Sequence, residues 1–257
     1  MTTGAVRATA REPLVLIPGL LCDARLWRPQ IEALADLAEC WVADHTRSET
    51  LSGVAADVLR DAPFERFSLA DLSMGGYVAL EVLRQAATRV KRLALLDTSA
   101  RPDTAEQSRA RAALISLAER GRFRGVTRTL LPLFIHPSRI GDEKLVDTVV
   151  RMCRDTGVDA FVREERAIMS RPDSLGTLSN ISCPTLILCG RQDAVTSVER
   201  HEEIARAVAG SELAILETCG HLSTLEHPDE VSAALRRWLG AEEPRGGSRA
   251  VASRQDA

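Results

Sequence analysis

No apolar run in this 257-residue chain approaches the length of a membrane span; the longest, such as LVLI and LAIL, are strand-sized. The opening residues MTTGAVRATARE hold no apolar stretch of signal-peptide length, so a soluble, cytoplasmic protein is expected. Basic blocks are also missing. Thirty-three Lys and Arg stand against 36 Asp and Glu, mixed along the chain with a net charge of −3, and nothing points to nucleic acid or an anionic membrane surface. The six cysteines, Cys22, Cys40, Cys153, Cys183, Cys189 and Cys219, include no C-x-x-C pair. That spacing argues against a zinc site and against a disulfide framework, and leaves reduced core thiols, with no metal or cofactor implied.

What is present is a large apolar fraction, 45%, in a chain long enough for one large α/β domain. Short β-rich or wholly apolar runs at Pro13 to Ile17, Glu39 to Ala43, Phe67 to Ala70, Arg92 to Leu96, Thr185 to Cys189 and Leu213 to Leu216 read as buried parallel strands. Helical patterns lie between them, at Pro29 to Leu37, Leu51 to Asp61, Gly75 to Ala87, Ser197 to Val208 and Asp229 to Leu239. The alternation predicts a doubly wound, mostly parallel sheet. From 100 to 181 the strand signal stops and amphipathic helices take over, as at Leu145, Val146, Val149, Val150 and Met152. Inserted between two parallel strands, such a segment would sit over their carboxyl ends as a cap, leaving 1–99 and 182–240 as the core. The Gly-, Arg- and Ser-rich tail 241–257 is expected to be disordered.

The chemistry gathers around LADLSMGGY, 69–77. A serine between a strand and a helix is exposed at the top of a sheet, and Gly75 and Gly76 let the helix approach neighbouring strands. A plain N-capping serine also fits that place. Downstream, GRQDAV follows one strand and CGHLSTLEHP another, which sets Asp193 and His221 on the same sheet edge as Ser73. Asp97, in LLDTS, is a second candidate acid on that edge. His45, His136, His201 and His227 lack such a placement and read as surface or structural, with His136 in the capping segment a candidate substrate contact.

LIPGLLCDARLW, LSMGGYVALE, LLDTSARPD, GRQDAVT and GHLSTLEHPDEV together resemble the α/β-hydrolase fold family, in its esterase and lactonase-like members with a helical cap, over residues 13 to 240. The resemblance implies Ser73 as nucleophile, His221 as base and then acid, and Asp193 as the residue that orients the imidazole. It also implies an oxyanion hole from the backbone N–H groups of Leu20 and Met74, although Pro18 replaces the family's histidine. A serine nucleophile argues against the dehalogenase and epoxide hydrolase branches, which need a carboxylate at position 73. A small, largely apolar carboxylic ester or lactone is the expected substrate, with C–C bond hydrolysis or acyl transfer on the same triad as alternatives, and a homo-oligomer is compatible with either. Leu131, Phe134, Met152, Phe161 and Met169 are the candidate substrate contacts. The departure is Asp71, where the elbow motif wants glycine. A carboxylate aimed at the pocket would repel the developing oxyanion; one aimed away would find a backbone N–H. Either way it predicts a handicapped enzyme or, at the extreme, an impaired binding protein.

Overall fold

The computed structural model describes residues 11–126 and 128–241. Its elements run β1 (Glu12–Ile17), α1 (Arg28–Ala33), β2 (Ala38–Val42), α2 (Leu51–Asp61), β3 (Phe67–Leu72), α3 (Met74–Ala86), β4 (Val90–Leu96), α4 (Ala105–Glu119), α5 (Glu143–Met169), α6 (Leu175–Leu178), β5 (Thr185–Gly190), α7 (Val198–Ala207), β6 (Glu212–Leu216), α8 (Ser223–Glu226) and α9 (Pro228–Gly240). The six strands form one sheet in the order β2-β1-β3-β4-β5-β6. Every pairing is parallel, which makes the sheet more uniform than the mostly parallel one expected. All but one of the tail residues 241–257 lie outside the described residues.

Strand alternation divides the core in two. Leu14, Leu16, Ala70, Leu72, Ala94, Leu96, Leu186 and Leu188 pack on one face with Val231, Leu235 and Trp238 of α9. Val15, Ile17, Leu69, Leu93, Leu95 and Ile187 pack on the other with Val54 and Val58 of α2, Val78 of α3 and Ile204 of α7. Because helices cover both faces, all six residues of β3 and all six of β5 are buried, and the strands read as continuous apolar runs. Helix α1 stops at Ala33, short of the predicted Leu37: Leu34 leaves helical geometry, and the Leu37 carbonyl instead accepts from the Glu12 N–H at the start of β1.

Between β4 and β5 the described residues are helical, without a strand. Helix α4 starts on a capping box of Thr104 and Gln107, and α5 is bent at Gly157, whose φ of 83° is left-handed. Among the described residues no helix is long and apolar enough to cross a membrane. All six cysteines are free; Cys22, Cys153, Cys189 and Cys219 are buried and Cys40 and Cys183 half-buried.

Candidate active site

The chain leaves β1 for the outer strand β2 and returns to β3, so β1 and β3 part at a crevice on their carboxyl ends. Gly19 lies on one side of that crevice and Ser73 on the other. Ser73 takes φ 57° and ψ −113°, left-handed geometry that a side-chain-bearing residue adopts only when its surroundings hold it there. Two close approaches hold it. A Cβ on Gly75 would stand 2.4 Å from the Ile17 carbonyl oxygen, and one on Gly76 would stand 2.3 Å from Thr98 Oγ1. The freed space lets Thr98 Oγ1 donate to the Ser73 carbonyl at 2.7 Å. Ser73 makes no side-chain bond to cap α3, so its hydroxyl is available elsewhere.

That hydroxyl lies 2.8 Å from His221 Nε2, and His221 Nδ1 lies 2.8 Å from Asp193 Oδ2. All three side chains come from loops just past strand ends: Ser73 after β3, Asp193 after β5, His221 after β6. Asp193 is fixed by its own turn, with Oδ1 accepting from the Val195 and Thr196 N–H groups and Oδ2 from Thr196 Oγ1. Burial alone would raise the Asp193 carboxyl, but His221 and the Thr196 donors outweigh it and hold it below the usual carboxylate range. Burial would likewise lower His221, yet the adjacent Asp193 carboxylate raises it above the usual imidazole value. Asp97, the other acid on this edge, is bonded differently: Oδ1 accepts from the Gly190 N–H and Oδ2 from Ser223 Oγ. Burial pushes its carboxyl well up.

Leu20 and Met74 line the same crevice, and among the described residues neither N–H donates to a protein acceptor. The loop that carries Leu20 is anchored from α5. Glu164 Oε2 accepts the Leu21 N–H at 3.1 Å, while His45 Nε2 reaches both Glu164 Oε1 at 2.8 Å and the Gly19 carbonyl at 3.1 Å. Burial would lower His45, but its bond to Glu164 raises it above the usual value. Leu21 sits at φ 58°, so the turn is bent as well as anchored. The sequence left His45 as surface or structural, and the structure buries it; nothing in the sequence singled out Glu164. His201 is structural too: Nε2 accepts the Thr98 N–H and Nδ1 meets the Ser197 carbonyl, and burial pushes it down to about 4.

Ser73, His221, Leu20 and Met74 open onto one cavity of about 240 Å³ between the strand ends and helices α4 and α5. Phe134 and Met152 line it, as expected from sequence. Three other candidates do not. Leu131 is fully buried in the core, Phe161 stacks on Phe123 at 4.6 Å between ring centroids, and Met169, at the end of α5, is 37% exposed. An apolar side chain in a helical segment packs against whatever its face meets, and here that is the core, another aromatic or solvent. His136 is also absent from the lining: its N–H donates to Glu226 and its Nδ1 pairs with Ser138. Tyr77, Arg111 and Glu165 line the cavity instead, and no apolar pattern could have flagged them.

Asp71 corrects the reading of the elbow. It is fully buried and absent from the cavity lining, and neither carboxyl oxygen makes a hydrogen bond of normal geometry; the Leu96 backbone acts on it only weakly against its burial. Strand alternation is the reason. Asp71 follows Leu69 onto the face covered by α2 and α3, beside Ile17 and Leu95, whereas its neighbour Leu72 turns to the face that lines the cavity. Burial drives its carboxyl well above the usual range, which favours the neutral acid, and the expected repulsion of an oxyanion loses its charge.

A doubly wound sheet with a strained serine turn at its switch point, a histidine against that serine and an acid against the histidine defines the class of α/β hydrolases. The chain belongs to the Alpha/beta hydrolase family, whose sequence pattern it matches over residues 14–234. It is 26% identical over 248 residues to a putative carbamate hydrolase, RutD, of Rhizobium rhizogenes, with 89% of this chain and 92% of that protein covered. It is 24% identical to 3-oxoadipate enol-lactonase 1 of Acinetobacter baylyi, over 84% of each. Among solved structures, a thermophilic esterase from Thermogutta terrifontis superposes with a TM-score of 0.82 at 27% identity, with 89% of each chain covered. The enol-lactonase of Burkholderia xenovorans shares the fold, with a TM-score of 0.78 at 22% identity over 91% of this chain and 94% of its own.

Proposed function

We propose that this protein is a serine hydrolase of small carboxylic esters or lactones, working through an acyl-enzyme on Ser73. The observation that carries the reading is the continuous line of hydrogen bonds from Ser73 Oγ through both nitrogens of His221 to Asp193. With Nδ1–H donating to Asp193, Nε2 is the free base and takes the serine proton as Oγ attacks the carbonyl carbon. The Leu20 and Met74 N–H groups, otherwise unpaired, receive the developing oxyanion. The imidazolium then hands its proton to the leaving alkoxide, and water, deprotonated by His221 in turn, releases the acid. Asp193 stabilises the imidazolium throughout and fixes the tautomer; it takes no proton itself. The helical segment between β4 and β5 serves as the lid that shuts solvent from the cavity, and Glu164 couples it to the oxyanion loop. The relatives' names, which include an enol-lactonase and pimeloyl-[acyl-carrier protein] methyl ester esterases, support ester-like chemistry.

Covalent labelling by a fluorophosphonate tests this directly, since only an activated serine reacts. Labelling of the wild type that disappears in Ser73→Ala is the expected result. Labelling that persists in the variant, or its absence from both, overturns the reading.

A further inference from the structure

Away from Ser73 and His221 the cavity is apolar apart from one corner. There Tyr77, one helical turn past Ser73 on α3 and so about 6 Å along the axis, meets Arg111 of α4 and Glu165 of α5. The three belong to one linked group. The Arg171 guanidinium stacks on the Tyr77 ring at 4.2 Å, Arg171 and Arg111 share Asp103 at 2.7 and 3.0 Å, and Arg111 Nη1 donates to Glu165 at 2.7 Å. Arg171 is spent on this scaffold, with its remaining donors on the Arg101 and Ile168 carbonyls. The others are not. Among the described residues the Tyr77 hydroxyl has no hydrogen-bond partner, Arg111 Nη2 has no acceptor and Glu165 Oε1 has no donor, although Tyr77 is 7% and Glu165 only 1% exposed. Polar groups with unmet capacity on a cavity wall, on a half-buried Arg111 and on two residues nearly closed to solvent, call for a partner in the cavity.

We propose that this corner is a polar subsite for a neutral hydrogen-bonding group, a carboxamide or hydroxyl, at the end of the ester substrate remote from the scissile bond. The inference rests on the serine hydrolase reading and sharpens its substrate, which the sequence left as a small, largely apolar ester or lactone. Charge balance selects a neutral group over an anion. Two guanidinium groups face two carboxylates, so a carboxylate brought to Arg111 would stand beside Glu165 with no spare positive charge. Burial pushes the Glu165 carboxyl up against Arg111, and the nearby Asp103 and Glu164 carboxylates add to the rise. A carboxamide suits both needs: its oxygen accepts from Arg111 or Tyr77 while its N–H donates to Glu165.

The test compares methyl esters of acyl chains that end in methyl, carboxamide or carboxylate, over a series of lengths, and the same three ends on the alcohol side of acetates. At the matching length the carboxamide should exceed the methyl end in kcat/KM by at least about tenfold and should also exceed the carboxylate. Tyr77→Phe should lower the carboxamide-to-methyl ratio severalfold. Glu165→Gln, which removes one negative charge, should shift preference toward the carboxylate end, a change that mere loosening of the fold would not produce. Ratios are read within each variant, so a general loss of activity cancels. Binding of the matching unreactive N-methyl amides to Ser73→Ala protein, by calorimetry, reads the same order without turnover and so separates failure of the subsite from failure of the serine reading. No preference for the carboxamide at any length on either side, or ratios unmoved by both substitutions, overturns the proposal; a carboxylate preference in the wild type replaces it with an anion site.

Discussion

Asp193, in the turn after β5, and Asp71, near the end of β3, are both shielded from solvent, yet their surroundings drive them to opposite charge states. Asp193 accepts from two backbone N–H groups and a threonine hydroxyl and sits against His221, so the carboxylate is favoured despite its burial. Asp71 makes no hydrogen bond of normal geometry, and its burial outweighs the weak influence of the Leu96 backbone. Burial therefore does not decide what an acid does in this sheet. The donors that its loop supplies decide it. A turn beyond a strand end can fold its N–H groups around a carboxylate, whereas within a strand those groups are committed to the ladder.

The comparison breaks most visibly if the charged side is dismantled. Ser73→Ala and His221→Ala should each lower kcat by about 10⁶, and the double variant by little more, because the two act as a unit. Losses that multiply in steady-state assays, or substantial activity in His221→Ala, would separate the residues. Next in size is the acid itself. Asp193→Asn should cost about 10⁴ in kcat through the wrong imidazole tautomer. Asp97→Asn should cost only a few-fold, since Asp97 bonds to Gly190 and Ser223 and not to the imidazole. The reverse ranking would transfer the role to Asp97. Smaller again is the pH response. Asp193 raises His221 above the ordinary imidazole value, and the base must be neutral, so kcat/KM should fall about tenfold per pH unit on an acid limb whose midpoint lies above about 6.5. A midpoint below that value would mean that burial outweighs Asp193.

The strand ends were legible because buried parallel strands are short apolar runs, and whatever follows each must emerge on the same edge; Ser73, Asp193 and His221 could be placed that way with no distances. Leu131, Phe161 and Met169 were misplaced because helical periodicity tells which face is apolar but not whether that face meets a cavity, the core or solvent. Arg111, Glu164 and Glu165 stayed hidden for the converse reason: glutamates and an arginine on helices look like solvated faces, and only the packing of α4 and α5 buries the two glutamates and half-buries Arg111. Asp71 was recognised as a departure from the motif, but its side of the strand needed the register with Ile17 and Leu95.

The smallest effect tests the neutral side of the comparison. With its carboxyl off the cavity lining and favoured in its neutral form, Asp71 has no charge to set against the oxyanion, so Asp71→Gly should change kcat/KM by less than about threefold, where the sequence alone suggested relief of a handicap. The signature belongs to stability. A carboxyl raised on folding takes up a proton that the unfolded chain has lost, so its contribution is fully present below the unfolded value near 3.8 and is lost as pH rises toward the folded value. Asp71→Asn has nearly the same shape and cannot titrate. Between about pH 4 and pH 7 its Tm should therefore climb relative to the wild type, by a few degrees. All other titrating groups are common to both proteins and cancel in the difference. A difference in Tm that stays flat across that range would mean that Asp71 ionises normally when folded, and that a donor reaches it which the packing of α2 and α3 does not supply.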